Sequence, residues 1–260
     1  MSSPVFVVGD VHGHRDVLVE LLCGEGLVDE SGRWTGRDAR VWLVGDLVDR
    51  GPDGIGAIGF VRGLEDESGG AARCLLGNHE ALLVAVHRFS ADETTVPGLT
   101  FHDLWKLNGG VDRDLRELTD EDVAWLARRP PLARDGDWLI LHADTPAYLE
   151  LGGTVDRVAD ATGAALTHGS ADDVDRLLEI VSDRMRLDDP AAVDALLGAY
   201  GGSRIVHGHT PIAAVRGVEP RVVTGPLVYA GGRVTNVDHC LFAGGPGFVT
   251  RLGNGSPPEA

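Results

Sequence analysis

One pattern occurs three times in the first 80 residues and restricts the fold of this chain more than any other feature. A short apolar run comes first, then glycine with polar residues, and then apolar residues spaced three or four apart. The apolar runs lie at residues 5–8, 41–44 and 74–76. Short buried runs of this kind predict strands, and the spacing behind them predicts helices. Alternating strands and helices predict an α/β fold with mostly parallel strands.

The polar residues behind these runs can carry chemistry. The first run leads into GDVHGHRD, the second into GDLVDRGPDG and the third into GNHE. Two later predicted strands end in a similar way, at His142 and in HGHTP at 207–211. Ligands of such sheets bind in the crevice at the carboxyl ends of the strands. We therefore expect these polar side chains to lie together at one edge.

The middle of the chain has mainly helical spacing, and the last quarter returns to strands. Residues 227–230 and 233–237 flank Gly231-Gly232, a pattern typical of a two-residue hairpin. We expect one domain over residues 1–260, with helical insertions at roughly 90–130 and 145–200. Apolar residues three and four apart predict four helices, over 101–107, 121–128, 171–187 and 190–199.

Charge and composition exclude several classes of protein. The chain has 23 Lys plus Arg against 40 Asp plus Glu, a formal charge of −17, which argues against a broad nucleic-acid or anionic-membrane surface. No run approaches ~18 apolar residues, the length that a spanning helix needs. MSSPVFVVGD lacks the basic region of a signal peptide, and three cysteines without a CxxC pair fit a reducing compartment. We expect a cytoplasmic protein with no nucleic-acid or membrane partner.

Carboxylates and imidazoles gathered at one sheet edge would repel one another and lose their solvation as bare groups. A pair of divalent cations removes this conflict, and oxygen ligands mixed with imidazole nitrogen suit Mn, Fe or Zn. The polar groups at the five strand ends are Asp10 with His12, Asp46 with Asp49 and Arg50, Asn78 with His79 and Glu80, His142, and His209.

The chain resembles the metal-dependent phosphoprotein phosphatases, within the calcineurin-like metallophosphoesterase superfamily. The resemblance is carried, in the family's order, by GDVHG, GDLVDRG, GNHE, His-Ala at 142–143 and GHT at 208–210. It implies a four-layer αββα sandwich, with two mixed β-sheets flanked by helices and two metals at one edge. It points to the bacterial branch, which includes serine/threonine protein phosphatases and symmetrical diadenosine tetraphosphatases.

The resemblance also implies the metal ligands. Mn is the first expectation for the two divalent cations, with Fe, Zn, Mg, Ni and Co as alternatives. His207 precedes the GHT motif, and Pro211 stands where broader superfamily members have a further ligand, so a substitute role for His207 stays open. The implied ligands are Asp10 and His12 for the first cation, Asp46 between the two, and Asn78, His142 and His209 for the second.

The expected reaction is direct attack on phosphorus by a hydroxide that bridges two cations ~3.5–4 Å apart. Arg50 would bind phosphoryl oxygens through its bidentate fork, with Asn78 beside it. His79 would protonate the leaving group, and Asp49 would orient His79 and raise its pKa. Glu80 is expected to orient a neighbour rather than to bind metal.

A second phosphate-binding arginine is also expected in this family. The segment VSDRMRLDDP offers Arg184 and Arg186 on the helix predicted over 171–187, and similar RMR segments occur in related bacterial dinucleoside tetraphosphatases. We favour Arg184. Asp144 stands where glycine usually follows the His-Ala pair, and this extra carboxylate near the second cation could alter metal choice or substrate charge preference.

The motifs are compatible with three functions. The first expectation is a phosphatase for phosphomonoesters, such as phosphoserine and phosphothreonine proteins or small aryl phosphates. The alternative is hydrolysis of dinucleoside tetraphosphates or another nucleotide pyrophosphate. A metal-binding scaffold without turnover is a distant third, because every motif ligand and the acid His79 are present.

Overall fold

Nine strands form two sheets in the computed structural model, which describes residues 3–92, 94 and 96–253. In chain order they are β1 (Val5–Val8), β2 (Arg40–Leu43), β3 (Ala72–Cys74), β4 (Leu132–Asp135), β5 (Trp138–Leu141), β6 (Arg204–His207), β7 (Leu227–Tyr229), β8 (Val234–Asn236) and β9 (Val249–Leu252). One sheet has the order β3-β2-β1-β9 and the other β4-β5-β6-β8-β7.

Both sheets are mixed. β1, β2 and β3 are parallel, and β9 closes that sheet as an antiparallel edge strand. In the other sheet β5, β6 and β8 are parallel, with antiparallel strands β4 and β7 at its two edges. The strands that end in the polar motifs are therefore those with parallel neighbours.

Helices cover the outer faces of the sheets. They are α1 (Arg15–Gly24), α2 (Gly54–Glu67), α3 (Asn78–Phe89), α4 (Phe101–Leu107), α5 (Asp112–Glu117), α6 (Asp120–Leu126), α7 (Val155–His168), α8 (Ala171–Ser182), α9 (Pro190–Tyr200) and α10 (Ile212–Arg216). Short 3-10 helices lie at Pro146–Glu150, Pro220–Val222 and Leu241–Ala243. Within the described part of the chain, no helix combines the length and the apolar character needed to cross a membrane.

Alternation along β1 shows why four successive apolar residues are buried. Val5 and Val7 belong to a cluster between the two sheets, which also contains Ile140 from the opposite sheet. Phe6 and Val8 belong to the larger cluster beneath the helices. Successive side chains of a strand point to opposite faces, so a strand covered on both faces is apolar throughout. The expected four-layer αββα sandwich is confirmed.

The helix predicted over 171–187 is shorter than expected. α8 ends at Ser182, Asp183 is extended, and Met185 has a positive φ of 62°. The backbone N–H of Met185 donates to the Asp144 carboxylate across 2.9 Å, and that of Arg186 donates to the Asp144 carbonyl across 3.1 Å. These contacts from another strand end replace helical hydrogen bonds. Arg184 and Arg186 therefore lie on a loop, and their predicted placement on a helix was wrong.

The predicted two-residue hairpin is also longer than expected. Tyr229 pairs with Val234, so four residues connect β7 and β8. Gly231 and Gly232 both have a positive φ, which glycine adopts without steric cost. The antiparallel pairing itself is confirmed.

Candidate active site

The polar side chains predicted at the strand ends are brought to one edge of the sandwich by tight turns. Five of these residues have a positive φ, a region that non-glycine residues rarely adopt and that is enriched at functional sites. They are His12, Asp46, Asp49, Arg50 and His209, with φ between 45° and 65°.

Two motif glycines allow close approach of carboxylates. A Cβ on Gly77 would lie 2.1 Å from Oδ1 of Asp46, and a Cβ on Gly208 would lie 2.2 Å from Oδ1 of Asp10. Any side chain at these positions would displace an acidic group from the site. The glycines of GNHE and GHT are therefore required by packing.

Two buried triads of potential ligands share Asp46. The ligand atoms of His12, Asp46 and His79 all lie within 4.8 Å of one another, and so do those of Asp46, His142 and His209. Asp46 therefore lies between the two groups, the place that the resemblance implies for a bridging ligand.

Backbone carbonyls set the tautomers of the histidines. The Nδ1 atoms of His12 and His142 donate to the carbonyls of Val48 (3.0 Å) and Val44 (2.8 Å), because a carbonyl can only accept. The Nε2 atom of each ring then carries the lone pair. Such hydrogen bonds orient histidines that bind metals.

The electrostatics keep these imidazoles neutral. Burial lowers the pKa of His12 and of His142, and in His209 burial together with His142 and Arg184 lowers the pKa well below its ordinary value. Nε2 of His209 donates to the Ser182 carbonyl across 3.1 Å, which leaves Nδ1 as its lone-pair nitrogen. Neutral imidazole is the form that binds metal.

The charge of Arg50 offsets the burial of the Asp10 and Asp238 carboxylates only in part. Burial, Asp238 and Asp46 raise the pKa of Asp10 well above its ordinary value, and burial raises the pKa of Asp238 to about 7. Burial opposes ionisation of Asp46 as well, but any positive charge on His142, His79 or the other histidines around it favours the Asp46 anion and lowers its pKa. Buried carboxylates beside neutral imidazoles suit divalent cations. The donor set therefore fits two of them.

Asp10 and Asn78 complete the implied ligand set but belong to neither triad. Both oxygens of Asp10 accept from the backbone N–H of His209, at 3.1 and 3.0 Å. Oδ1 of Asn78 lies 3.1 Å from Nε2 of His142, which also accepts from the Asn78 backbone N–H at 3.2 Å. An amide oxygen and an imidazole lone pair that face each other suit a shared cation.

Arg50 lies against the first triad. Its Nη1 atom is 3.0 Å from Nε2 of His12 and its Nη2 atom is 2.9 Å from Nε2 of His79. The guanidinium stacks on Phe242, with 4.2 Å between Cζ and the ring centroid. Arginine only donates, so both Nε2 atoms accept in this arrangement. Phe242 was not predicted, because no sequence pattern distinguishes it.

His79 and Asp49 form a buried pair. Nδ1 of His79 donates to Oδ2 of Asp49 across 2.8 Å. Burial lowers the pKa of His79, but Asp46 and the Asp49 hydrogen bond outweigh burial and raise it. Trp105 donates its indole N–H to the other Asp49 oxygen across 2.8 Å. Sequence reasoning missed Trp105 because its apolar spacing predicts only a core position.

The residues whose roles stayed open have protein partners. Both ring nitrogens of His207 are engaged, with the Gly208 carbonyl at 2.9 Å and the Tyr229 hydroxyl at 2.8 Å, and His207 belongs to neither triad. Asp144 accepts from the Thr210 hydroxyl across 2.6 Å and from the backbone of Met185. These contacts are with protein groups and favour a structural role for both residues.

The two candidate arginines differ in their surroundings. Both are exposed. The charge of Arg184 lowers the pKa of His142 and His209 in the second triad, and that of Asp238. Nε of Arg186 instead donates to Asp183 across 3.2 Å. This electrostatic influence on the second triad favours Arg184 over Arg186.

The family model of the "Calcineurin-like phosphoesterase" proteins matches residues 3–213. The chain belongs to this family. The phosphoesterase is 35% identical over 153 residues to "Bis(5'-nucleosyl)-tetraphosphatase, symmetrical" from Thioalkalivibrio sulfidiphilus, covering 56% of this chain and 47% of that protein. A protein of the same name from Vibrio parahaemolyticus is 32% identical over 143 residues, covering 53% of this chain and 43% of that protein. These alignments span about half the length of the curated relatives.

Solved structures share the fold of the phosphoesterase. A cold-active protein-tyrosine phosphatase from a psychrophilic Shewanella has a TM-score of 0.71 at 21% identity, covering 98% of this chain and 76% of that chain. A putative diadenosine tetraphosphatase has a TM-score of 0.52 at 18% identity, covering 98% and 96%. The expected family and fold are confirmed.

Proposed function

We propose that this phosphoesterase hydrolyses dinucleoside tetraphosphates with the help of two divalent cations, Mn²⁺ first among them. The observation that carries the proposal is the pair of buried triads that share Asp46. A site of this kind serves phosphate esters and anhydrides alike, because both reactions displace an oxygen from phosphorus.

The choice of substrate follows from the sequence relatives. Several of them, at 30–36% identity, are named symmetrical bis(5'-nucleosyl)-tetraphosphatases. This similarity favours the alternative over the phosphoprotein substrate that was the first expectation. The similar protein phosphatase structures, at 21% and 14% identity, indicate the shared fold and do not bear on the substrate.

The proposed ligands remain Asp10, His12, Asp46, Asn78, His142 and His209. Bound cations would lower the pKa of a water and neutralise charge on the phosphoryl oxygens. The chain supplies lone pairs at fixed imidazole nitrogens and the shared Asp46 carboxylate. These groups need no protonation change at neutral pH in order to act as ligands.

Arg50 would bind the transferred phosphoryl group, and the neighbouring His79 would protonate its leaving oxygen. In the present arrangement Arg50 donates a hydrogen bond to the Nε2 atom of His79. An acid that protonates the leaving oxygen needs a proton on that nitrogen, so Arg50 has to turn from the histidines to the phosphate. Asp49, bonded to Nδ1, keeps Nε2 directed at the leaving group and favours the protonated ring. Arg184 would bind the phosphate chain from the side of the second triad.

The test is a comparison of substrates at fixed Mn²⁺. Purified protein is supplied with diadenosine tetraphosphate or with a phosphoserine peptide, and released ADP and inorganic phosphate are measured. We expect ADP as the product, at a kcat/KM at least about tenfold above that for the peptide. Faster hydrolysis of the peptide would favour a phosphoprotein substrate instead, and no turnover of either compound would refute the proposed activity.

Two variants show whether turnover belongs to this site. Asp46→Asn removes the shared carboxylate and should abolish ADP release. Asp160→Asn makes the same chemical change at an exposed position on α7 and should leave ADP release unchanged. Equal activity of both variants would assign the turnover to a contaminant.

A further inference from the structure

The Asp49 carboxylate has a donor on each oxygen. The indole N–H of Trp105 donates to Oδ1 and Nδ1 of His79 donates to Oδ2, both across 2.8 Å. The three side chains are buried. We propose that Trp105, contributed by the helical insertion, is a positioning residue that holds Asp49 in place for His79. The inference rests on the proposed role of His79 as the proton donor.

The segment behind Trp105 holds the next catalytic residue as well. The backbone N–H of Arg50 donates to the Gly109 carbonyl across 2.9 Å, and Nε of Arg50 donates to the Asn108 carbonyl across 3.3 Å. The stretch 105–109 therefore contacts both Asp49 and Arg50. Because Asp49 and Arg50 both have a positive φ, contacts from outside their own turn help to maintain it.

The indole is itself held firmly. Thr100 and Asp103 form a capping box at the start of α4, where Phe101 is fully buried. A Cβ on Gly110 would lie 2.2 Å from the indole ring, so the loop after α4 closes directly onto Trp105. α4 also packs against α3, the helix that begins next to His79. The Trp105 indole and the His79 imidazole therefore lie on two helices that pack against each other.

Loss of the indole N–H has a specific chemical consequence. Oδ1 of Asp49 would become a buried acceptor without its donor, and the carboxylate could rotate about its last bond. The imidazole would then lose its fixed direction, to which proton transfer is sensitive. A purely structural indole would instead affect all substrates alike. Dependence on the leaving group separates these two roles.

The test compares Trp105→Phe with wild type on phenyl phosphate and p-nitrophenyl phosphate, with Mn²⁺. Nitrophenolate leaves without a proton, whereas phenolate needs one. We expect kcat on phenyl phosphate to fall about 10- to 100-fold and kcat on p-nitrophenyl phosphate to fall less than about threefold. KM should stay unchanged for both, because the indole N–H donates to Asp49, which has no proposed contact with the phosphate.

Trp125→Phe is the matched control. Trp125 is also buried in the insertion, and its indole N–H donates to Glu65 across 3.1 Å, away from the site. This variant should leave kcat unchanged on both substrates. Gly110→Ala is a second test that keeps the indole but displaces it, and it should reproduce the dependence on the leaving group even if Trp105→Phe does not fold.

Each outcome decides between the two claims. Equal losses on both aryl phosphates, or no loss, would overturn the positioning role of Trp105, while wild-type turnover of diadenosine tetraphosphate would leave the proposed function intact. A wild-type protein that turns over neither the aryl phosphates nor diadenosine tetraphosphate would refute the proposed function, and the inference with it.

Discussion

Glu80 accepts a hydrogen bond from the backbone N–H of Asp46 across 2.7 Å. Its carboxylate also accepts from the backbone N–H groups of Leu47 (2.6 Å) and Gly77 (2.9 Å). One side chain from the start of α3 thereby organises the turn that carries the shared ligand. This arrangement agrees with the expectation that Glu80 orients its neighbours instead of binding metal.

Glu80→Gln should weaken metal binding. An amide offers one acceptor oxygen and turns an NH₂ group toward backbone donors, so the Asp46 turn loses its fixed shape. Loss of such an orienting contact reduces metal affinity by about 10- to 100-fold. Mn²⁺ titration followed by calorimetry measures the change. Glu20→Gln, at an exposed position on α1, is the control, and equal affinities in the two variants would contradict the prediction.

Removal of metal should both inactivate and destabilise the protein. Dialysis against a chelator leaves buried carboxylates uncompensated, and added Mn²⁺ should restore activity and bind at about two ions per chain. At 100 times the dissociation constant, a single ion stabilises the folded state by about 2.7 kcal/mol. Thermal unfolding with and without Mn²⁺ gives this readout independently of turnover. A melting temperature indifferent to Mn²⁺ would argue against the site.

Arg50→Lys should lower kcat/KM by about 10- to 100-fold, because an ammonium does not reproduce the bidentate fork. Phe242→Leu leaves Arg50 in place but removes the stacking, which contributes about 0.5–1 kcal/mol at exposed sites, so we expect a loss of about two- to fivefold. Steady-state kinetics on diadenosine tetraphosphate measure both. Arg221→Lys, at an exposed position, should have no effect. A larger loss from Phe242→Leu than from Arg50→Lys would contradict this order.

His239 should make the protein sensitive to acid. It is buried, its ring packs on Phe248, and neither ring nitrogen has a hydrogen-bond partner among the described residues. Burial and, to a smaller degree, His14 lower its pKa to about 3. The unfolded chain, with a pKa of about 6.5, then binds a proton that the folded chain does not. The stability contribution is complete above pH 6.5 and falls as the pH drops toward 3.

His239→Phe removes this proton linkage. The free energy of unfolding of the variant, relative to that of wild type, should rise by about 1.4 kcal/mol for each pH unit as the pH falls from 6 to 4. Urea unfolding at a series of pH values measures it. His168→Phe, at an exposed position on α7, is the control. A difference that is independent of pH would show that folding does not change the pKa of His239.

The shape of α8 shows where local sequence patterns are insufficient. Apolar spacing over 171–187 predicts a longer helix than the one that forms, because the pattern contains no information about Asp144. The Asp144 carboxylate and carbonyl take the backbone donors of Met185 and Arg186 from a strand end 41 and 42 residues away. The resulting turn leaves Arg184 exposed on a loop after α8.

The sequence by itself determined the order of strands and helices, the family and the candidate ligands at the strand ends. This was possible because alternation, turn glycines and short motifs are local, and because parallel strands carry their carboxyl ends to one edge. Only the tertiary structure decided that Trp105 meets Asp49 and that Phe242 supports Arg50. Those contacts join residues 56 and 192 positions apart, and such pairings depend on how α4 and the segment between β8 and β9 pack, which no periodicity encodes.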